Sequence, residues 1–146
     1  LRNWWTETDL KNFQARTGLV KSQFDAYTVL DSVHVVGALT LGENIADLGG
    51  LSVAYAALQK ALAEKGRPGL IDGFTPEQRF FLAWAQIWRQ NIRPEALRQR
   101  ILTDPHSPAV WRTNGPLSNM PEFAQAFGCK PGDPMVRSDS ARAVIW

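Results

Sequence analysis

Glu43 and Asp47 stand four residues apart in Gly42-Glu43-Asn44-Ile45-Ala46-Asp47-Leu48-Gly49-Gly50, a run that otherwise reads as an apolar helix. At about 100° per residue, positions i and i+4 share one face, so both carboxylates point the same way. Desolvating an ionised carboxylate is costly without a cation or hydrogen-bond donors. Two readings follow from this spacing. In one, Glu43 binds a metal ion directly and Asp47 orients a neighbouring metal-binding histidine from behind. In the other, the acids mark a partly exposed helix start and complement the positive end of its dipole.

The elements that must position these groups read as predominantly helical. Thr6 and Asp9 form a capping box, and Leu10, Phe13, Leu19 and Phe24 carry a helix to about Tyr27. The β-branched stretch Val29–Leu41 predicts an extended connection with a short strand. Ile45, Leu48, Leu51, Ala54, Leu58 and Leu62 recur at spacings of three and four, which predicts a long helix over 41–64. Gly49 and Gly50 inside it each cost about 1 kcal/mol against Ala; close approach of another helix and a local kink are both open explanations. Thr75, Pro76 and Gln78 open the next helix, whose core face is Phe80, Phe81, Trp84, Ile87 and Trp88. Pro94 starts a short helix through Leu102. Residues 103–118, with Pro105, Pro108, Gly115 and Pro116, read as irregular. Pro121 opens a last helix that Gly128 terminates.

The 146 residues are 45% hydrophobic and 21% charged, enough for one core. A net charge of +2, with 16 basic residues spread along the chain, gives no stripe for nucleic acid. The densest group, Arg93, Arg98 and Arg100, shares a helix with Glu95 and reads as a solvated face. No apolar run reaches the roughly 18 residues that span a bilayer. A start at Leu1 without Met or a leader suggests a cut chain or a fragment. The single cysteine, Cys129, excludes a disulfide within the chain.

Three segments in order then become specific. They are Gly42–Leu51; Phe80–Trp88 with Arg93-Pro94-Glu95; and Asp104-Pro105-His106-Ser107-Pro108 followed by Arg112, Asn114–Asn119 and Phe123–Phe127. Trp4-Trp5-Thr6 and Val144-Ile145-Trp146 flank them. Together they resemble the C-terminal part of the neprilysin and endothelin-converting enzyme family of zinc metallopeptidases, in a bacterial-type member. The resemblance spans most of residues 1–146. It implies a mainly α fold with little or no strand, the C-terminal portion of a zincin-type catalytic domain.

Position by position, the resemblance implies that Glu43 is the third protein ligand to one Zn2+ and that Asp47 holds a zinc-bound histidine. His106 would donate to the oxyanion forming at the scissile carbonyl, and Arg112 would bind a substrate carbonyl. Read without the family, His106 is a turn residue capping a backbone carbonyl and Arg112 a surface arginine. His34, between valines, reads as structural. With two histidines and no His-Glu-x-x-His, the chain cannot assemble the site alone. The helix carrying that motif is expected upstream of Leu1, so the implied partners are peptide substrates and the N-terminal remainder of the enzyme. Leu19 and Ala143 stand near positions where animal members carry a paired cysteine, and Cys129 is expected to be free. The family analogy implies a periplasmic, envelope-associated or secreted location. The alternative is a non-catalytic helical interaction module derived from the same fold, which would need none of Glu43, Asp47, His106 and Arg112.

Overall fold

Two capping boxes start helices where the sequence places them. In α1 (Glu7–Asp25), the Thr6 hydroxyl accepts from the Asp9 N–H at 3.1 Å, and the Asp9 carboxylate accepts from the Thr6 N–H at 3.3 Å. Thr75 and Gln78 repeat the arrangement ahead of a later helix. The computed structural model describes residues 4–145; Leu1, Arg2, Asn3 and the closing Trp146 lie outside the described residues.

After α1 comes a small antiparallel hairpin, β1 (Thr28–Leu30) and β2 (Val33–His34), pairing Thr28 with His34 and Leu30 with Val33. His34 is exposed there. Five helices follow among the described residues: α2 (Gly37–Lys65), α3 (Pro76–Ile87), α4 (Pro94–Thr103), α5 (Ala109–Leu117) and α6 (Pro121–Phe127). Gly128 ends α6 in the left-handed region at φ 67°. The architecture is mainly α, with this hairpin as its only sheet among the described residues.

The long helix α2 joins two apolar clusters. Leu48 packs with Val20, Phe24, Val35, Ala143 and Ile145. Leu51, one turn on, packs with Phe81, Leu117 and Met120. Full burial of a ring such as Phe24 or Phe81 is worth roughly 1.5–3 kcal/mol by transfer alone, so these rings fix α1 and α3 against the site-bearing helices. None of the described helices is long and apolar enough to cross a membrane.

Three expectations need correction. α2 begins at Gly37, before Leu41, because Asp25 of α1 accepts the Gly37 N–H at 2.7 Å and so caps the helix from outside it. A Cβ at Gly37 would lie 2.4 Å from the Lys21 carbonyl, so this close approach needs glycine. Residues 109–117 are helical rather than irregular. Pro116 cannot bond the Arg112 carbonyl one turn back, and the Trp84 indole N–H donates to it instead at 3.1 Å. Gly115 lets the Phe24 ring lie where a side chain would stand, 2.5 Å from an added Cβ. Ile87 is exposed rather than in the core. Gly50 faces open space, so no helix closes on it.

Candidate active site

Glu43 and Asp47 leave α2 on one face, as i and i+4 positions do, but they reach different depths. Glu43 lies at an open rim with its side chain 41% exposed, whereas Asp47 is 7% exposed. The chain meets this face a second time at the loop after α4 and the first turn of α5. There Arg112 donates from Nε and Nη2 to the two Asp47 carboxylate oxygens at 2.7 and 2.6 Å. That fork-to-fork geometry pairs a nearly buried anion with a nearly buried cation. The guanidinium carbon also lies 3.9 Å from the centre of the Trp88 ring, a cation–π contact that holds the fork from below. Arg112 Nη2 is 3.8 Å from Glu43 Oε2.

His106 completes the cluster. Its Nε2 lies 3.1 Å from Glu43 Oε2, and its Nδ1 hydrogen-bonds Asp104 Oδ1 at 2.7 Å. The His106 backbone N–H donates to the same oxygen at 3.0 Å, while Arg100 donates to Asp104 Oδ2 from Nε and Nη2 at 2.9 and 2.7 Å. Burial works to raise the Asp104 carboxyl. The His106 backbone and ring and the Arg100 guanidinium outweigh it and bring the group from 3.8 down to about 2. Asp104 is therefore an ionised acceptor near neutral pH, which places a proton on His106 Nδ1.

A folded-state pKa below the unfolded one adds stability above the unfolded value and loses it as pH falls through the folded value. The Asp104 contribution is thus expected to be complete above about pH 4 and to disappear toward pH 2, the window set by its shift from 3.8 to about 2. Carboxyl 13C NMR should follow this titration, and Arg100→Ala should move it upward. An unchanged midpoint in that variant would remove Arg100 from the account.

All four residues singled out by sequence thus come together: Glu43 with His106 and Arg112, and Asp47 with Arg112. Arg112 is an interior residue, not a surface one. The residues that sequence reasoning passed over are Asp104, Arg100 and Trp88. Asp104 had a local signal, since an Asx side chain two residues before a turn histidine commonly bonds the backbone there; Arg100 sits one helical turn before it. Trp88 carried no such signal.

Glu43 offers an anionic oxygen at an accessible rim, a ligand type that zinc takes. Among the described residues, no group of three or more His, Cys, Asp or Glu side chains is arranged to hold an ion. The donors fit one corner of a zinc site rather than a whole one.

The model of peptidase family M13 matches residues 1–143. Mouse (Mus musculus) endothelin-converting enzyme 1 is 42% identical over 137 residues, which is 92% of this chain and 18% of that protein. Neprilysin-11 of Caenorhabditis elegans is 39% identical over 150 residues, covering 100% of this chain and 18% of that protein. Among solved structures, the inhibitor complex of the Mycobacterium tuberculosis zinc metalloprotease Zmp1 superposes with a TM-score of 0.92 at 44% identity, over 100% of this chain and 23% of that one. PepO from a Lactobacillus superposes at 0.82 with 36% identity, over 100% of this chain and 21% of that one. The fold is therefore that of a helical segment of zincin-type metallopeptidases. The chain belongs to peptidase family M13, the family of neprilysin and endothelin-converting enzyme, and spans about a fifth of the length of the curated relatives it matches.

Proposed function

We propose that the complete protein is a zinc endopeptidase that hydrolyses oligopeptides, cutting before a hydrophobic residue, and that residues 1–146 form the C-terminal part of its catalytic domain. The observation that carries this reading is the convergence of Glu43, His106 and Arg112 from separate stretches of chain within 4 Å. A scaffold has no use for a half-exposed carboxylate, a histidine and an arginine meeting at an open rim. Exposed Trp4, Val53 and Leu102 are apolar surface that packing against the N-terminal remainder would cover.

Glu43 would hold the ion with imidazoles from a His-Glu-x-x-His segment outside this chain. When bound, zinc supplies a Lewis acid that polarises the scissile carbonyl and lowers the pKa of water toward about 7. This chain's residues do the rest by charge and position. With Nδ1–H given to Asp104, His106 has Nε2–H to offer only when the ring carries both protons; carboxylates face both nitrogens. That donor would meet the negative charge developing on the carbonyl oxygen, a role worth about 3 kcal/mol in comparable sites. Arg112 spends Nε and Nη2 on Asp47, which leaves Nη1 for a substrate carbonyl.

The test is His106→Ala in the complete protein. Zinc content by mass spectrometry should match wild type, while kcat on an oligopeptide drops about a hundredfold. A change confined to KM would remove the oxyanion role. Loss of zinc dependence in the wild-type protein would remove the peptidase reading as a whole.

A further inference from the structure

The contact between Glu43 and His106 is made by two side chains that are each about two-fifths exposed, at 41% and 39%. Asp104 orients the imidazole within its loop, but the placement of that whole loop against α2 needs a contact between the two segments behind the rim. One residue along from each lies a buried partner. Asn44, next to Glu43, is 1% exposed; Ser107, next to His106, is 3% exposed. The Ser107 hydroxyl donates to Asn44 Oδ1 at 2.8 Å. Asn44 Nδ2 donates to Thr40 Oγ1 at 2.9 Å, and the Thr40 hydroxyl donates onward to the Val36 carbonyl at 3.2 Å.

The chain of bonds runs in one direction, each hydroxyl hydrogen used once. The amide of Asn44 is held in a single orientation because its oxygen must accept and its nitrogen must donate. Buried polar groups of this kind are costly when any member loses its partner, so the arrangement is held tightly once formed. About 100° separates successive residues on a helix. A link at Asn44 therefore anchors α2 from inside while leaving Glu43 free to face the rim.

We infer that Asn44 and Ser107 are positioning residues that set the His106 loop against the Glu43 turn of α2, acting on turnover through His106 and contacting neither substrate nor ion. The inference rests on the peptidase reading above and adds a device to it. A displacement of about 1 Å at a reacting centre can cost a hundredfold in rate. Asp104 orients the imidazole within its own loop; Ser107 and Asn44 place that whole loop.

The experiment is a cycle of variants in the complete protein: Ser107→Ala, His106→Ala and both together, with Thr40→Val as a milder probe. Ser107→Ala should lower kcat tenfold or more with KM and zinc content close to wild type, and the orphaned Asn44 oxygen should lower the thermal midpoint as well. Thr40→Val, which keeps shape but removes both the bond from Asn44 Nδ2 and the bond to the Val36 carbonyl while leaving Ser107 on Asn44, should lower kcat a few-fold. Ser107→Thr, keeping the hydroxyl, should recover most of the Ser107→Ala loss. In the His106→Ala background, Ser107→Ala should cost nothing more. Independent losses that multiply in the double variant would overturn the inference, and so would a Ser107→Ala enzyme with wild-type kcat. A crystal structure of the Ser107→Ala protein reads the claim without turnover: the His106 ring should leave Glu43, and a ring still at hydrogen-bond distance overturns it. An inactive wild-type protein would count against the peptidase reading, while that crystal structure would still decide the positioning.

Discussion

Replacing Glu43 with Ala in the complete protein should abolish zinc retention and, with it, peptide cleavage. As the third zinc ligand, Glu43 would supply the one anionic donor beside two imidazoles, and its loss would leave too few donors to hold the ion. The expected result is less than a tenth of the wild-type metal after dialysis, by mass spectrometry, and loss of activity by a factor of a thousand or more. The helix itself should tolerate the change. The Glu43 side chain is 41% exposed and Ala is the best helix former, so the substitution removes little buried contact. Metal retained at wild-type stoichiometry in a Glu43→Ala protein would end the assignment of that residue.

The second large effect is expected at Asp47 and Arg112, where stability and metal affinity should separate. Arg112→Leu leaves the Asp47 charge buried without its fork and should cost about 3–5 kcal/mol of unfolding free energy. Changing both residues to Leu should recover most of that loss, because an apolar pair of similar volume replaces a buried ion pair at little net cost. Zinc affinity answers a different question. If Asp47 also holds a zinc-bound histidine, Asp47→Ala and the double variant should each weaken metal binding by roughly 10–100-fold. Stability would return in the double variant, but affinity would not. Should affinity return together with stability, Asp47 serves Arg112 alone. Denaturant titration and competition with a zinc chelator measure the two quantities on the same samples.

What the sequence made legible was what is encoded within a few residues. The Thr6–Asp9 and Thr75–Gln78 boxes satisfy backbone donors at their own helix starts, so both starts could be read locally. The i, i+4 spacing of Glu43 and Asp47 put both acids on one face for the same reason. α5 escaped because its breakers are compensated from far away. The Trp84 indole takes the carbonyl that Pro116 abandons, and the Phe24 ring occupies the space Gly115 leaves. The start of α2 escaped likewise, being capped by Asp25 from another helix. At the site, the types of the four residues were visible, but the Arg112 fork on Asp47 was not, since nothing local to either position specifies it.

That fork joins residues 65 positions apart. The polypeptide has to close a loop of that size before Asp47 finds its counter-charge, and entropy makes such closures late events in folding. During synthesis the acid half of this face emerges first and waits. A ribosome-bound chain halted before residue 112 has no cation to answer Asp47, which should then stay solvated and keep that end of α2 loosely packed. The buried side of this face is in this sense completed only after Arg112 has emerged.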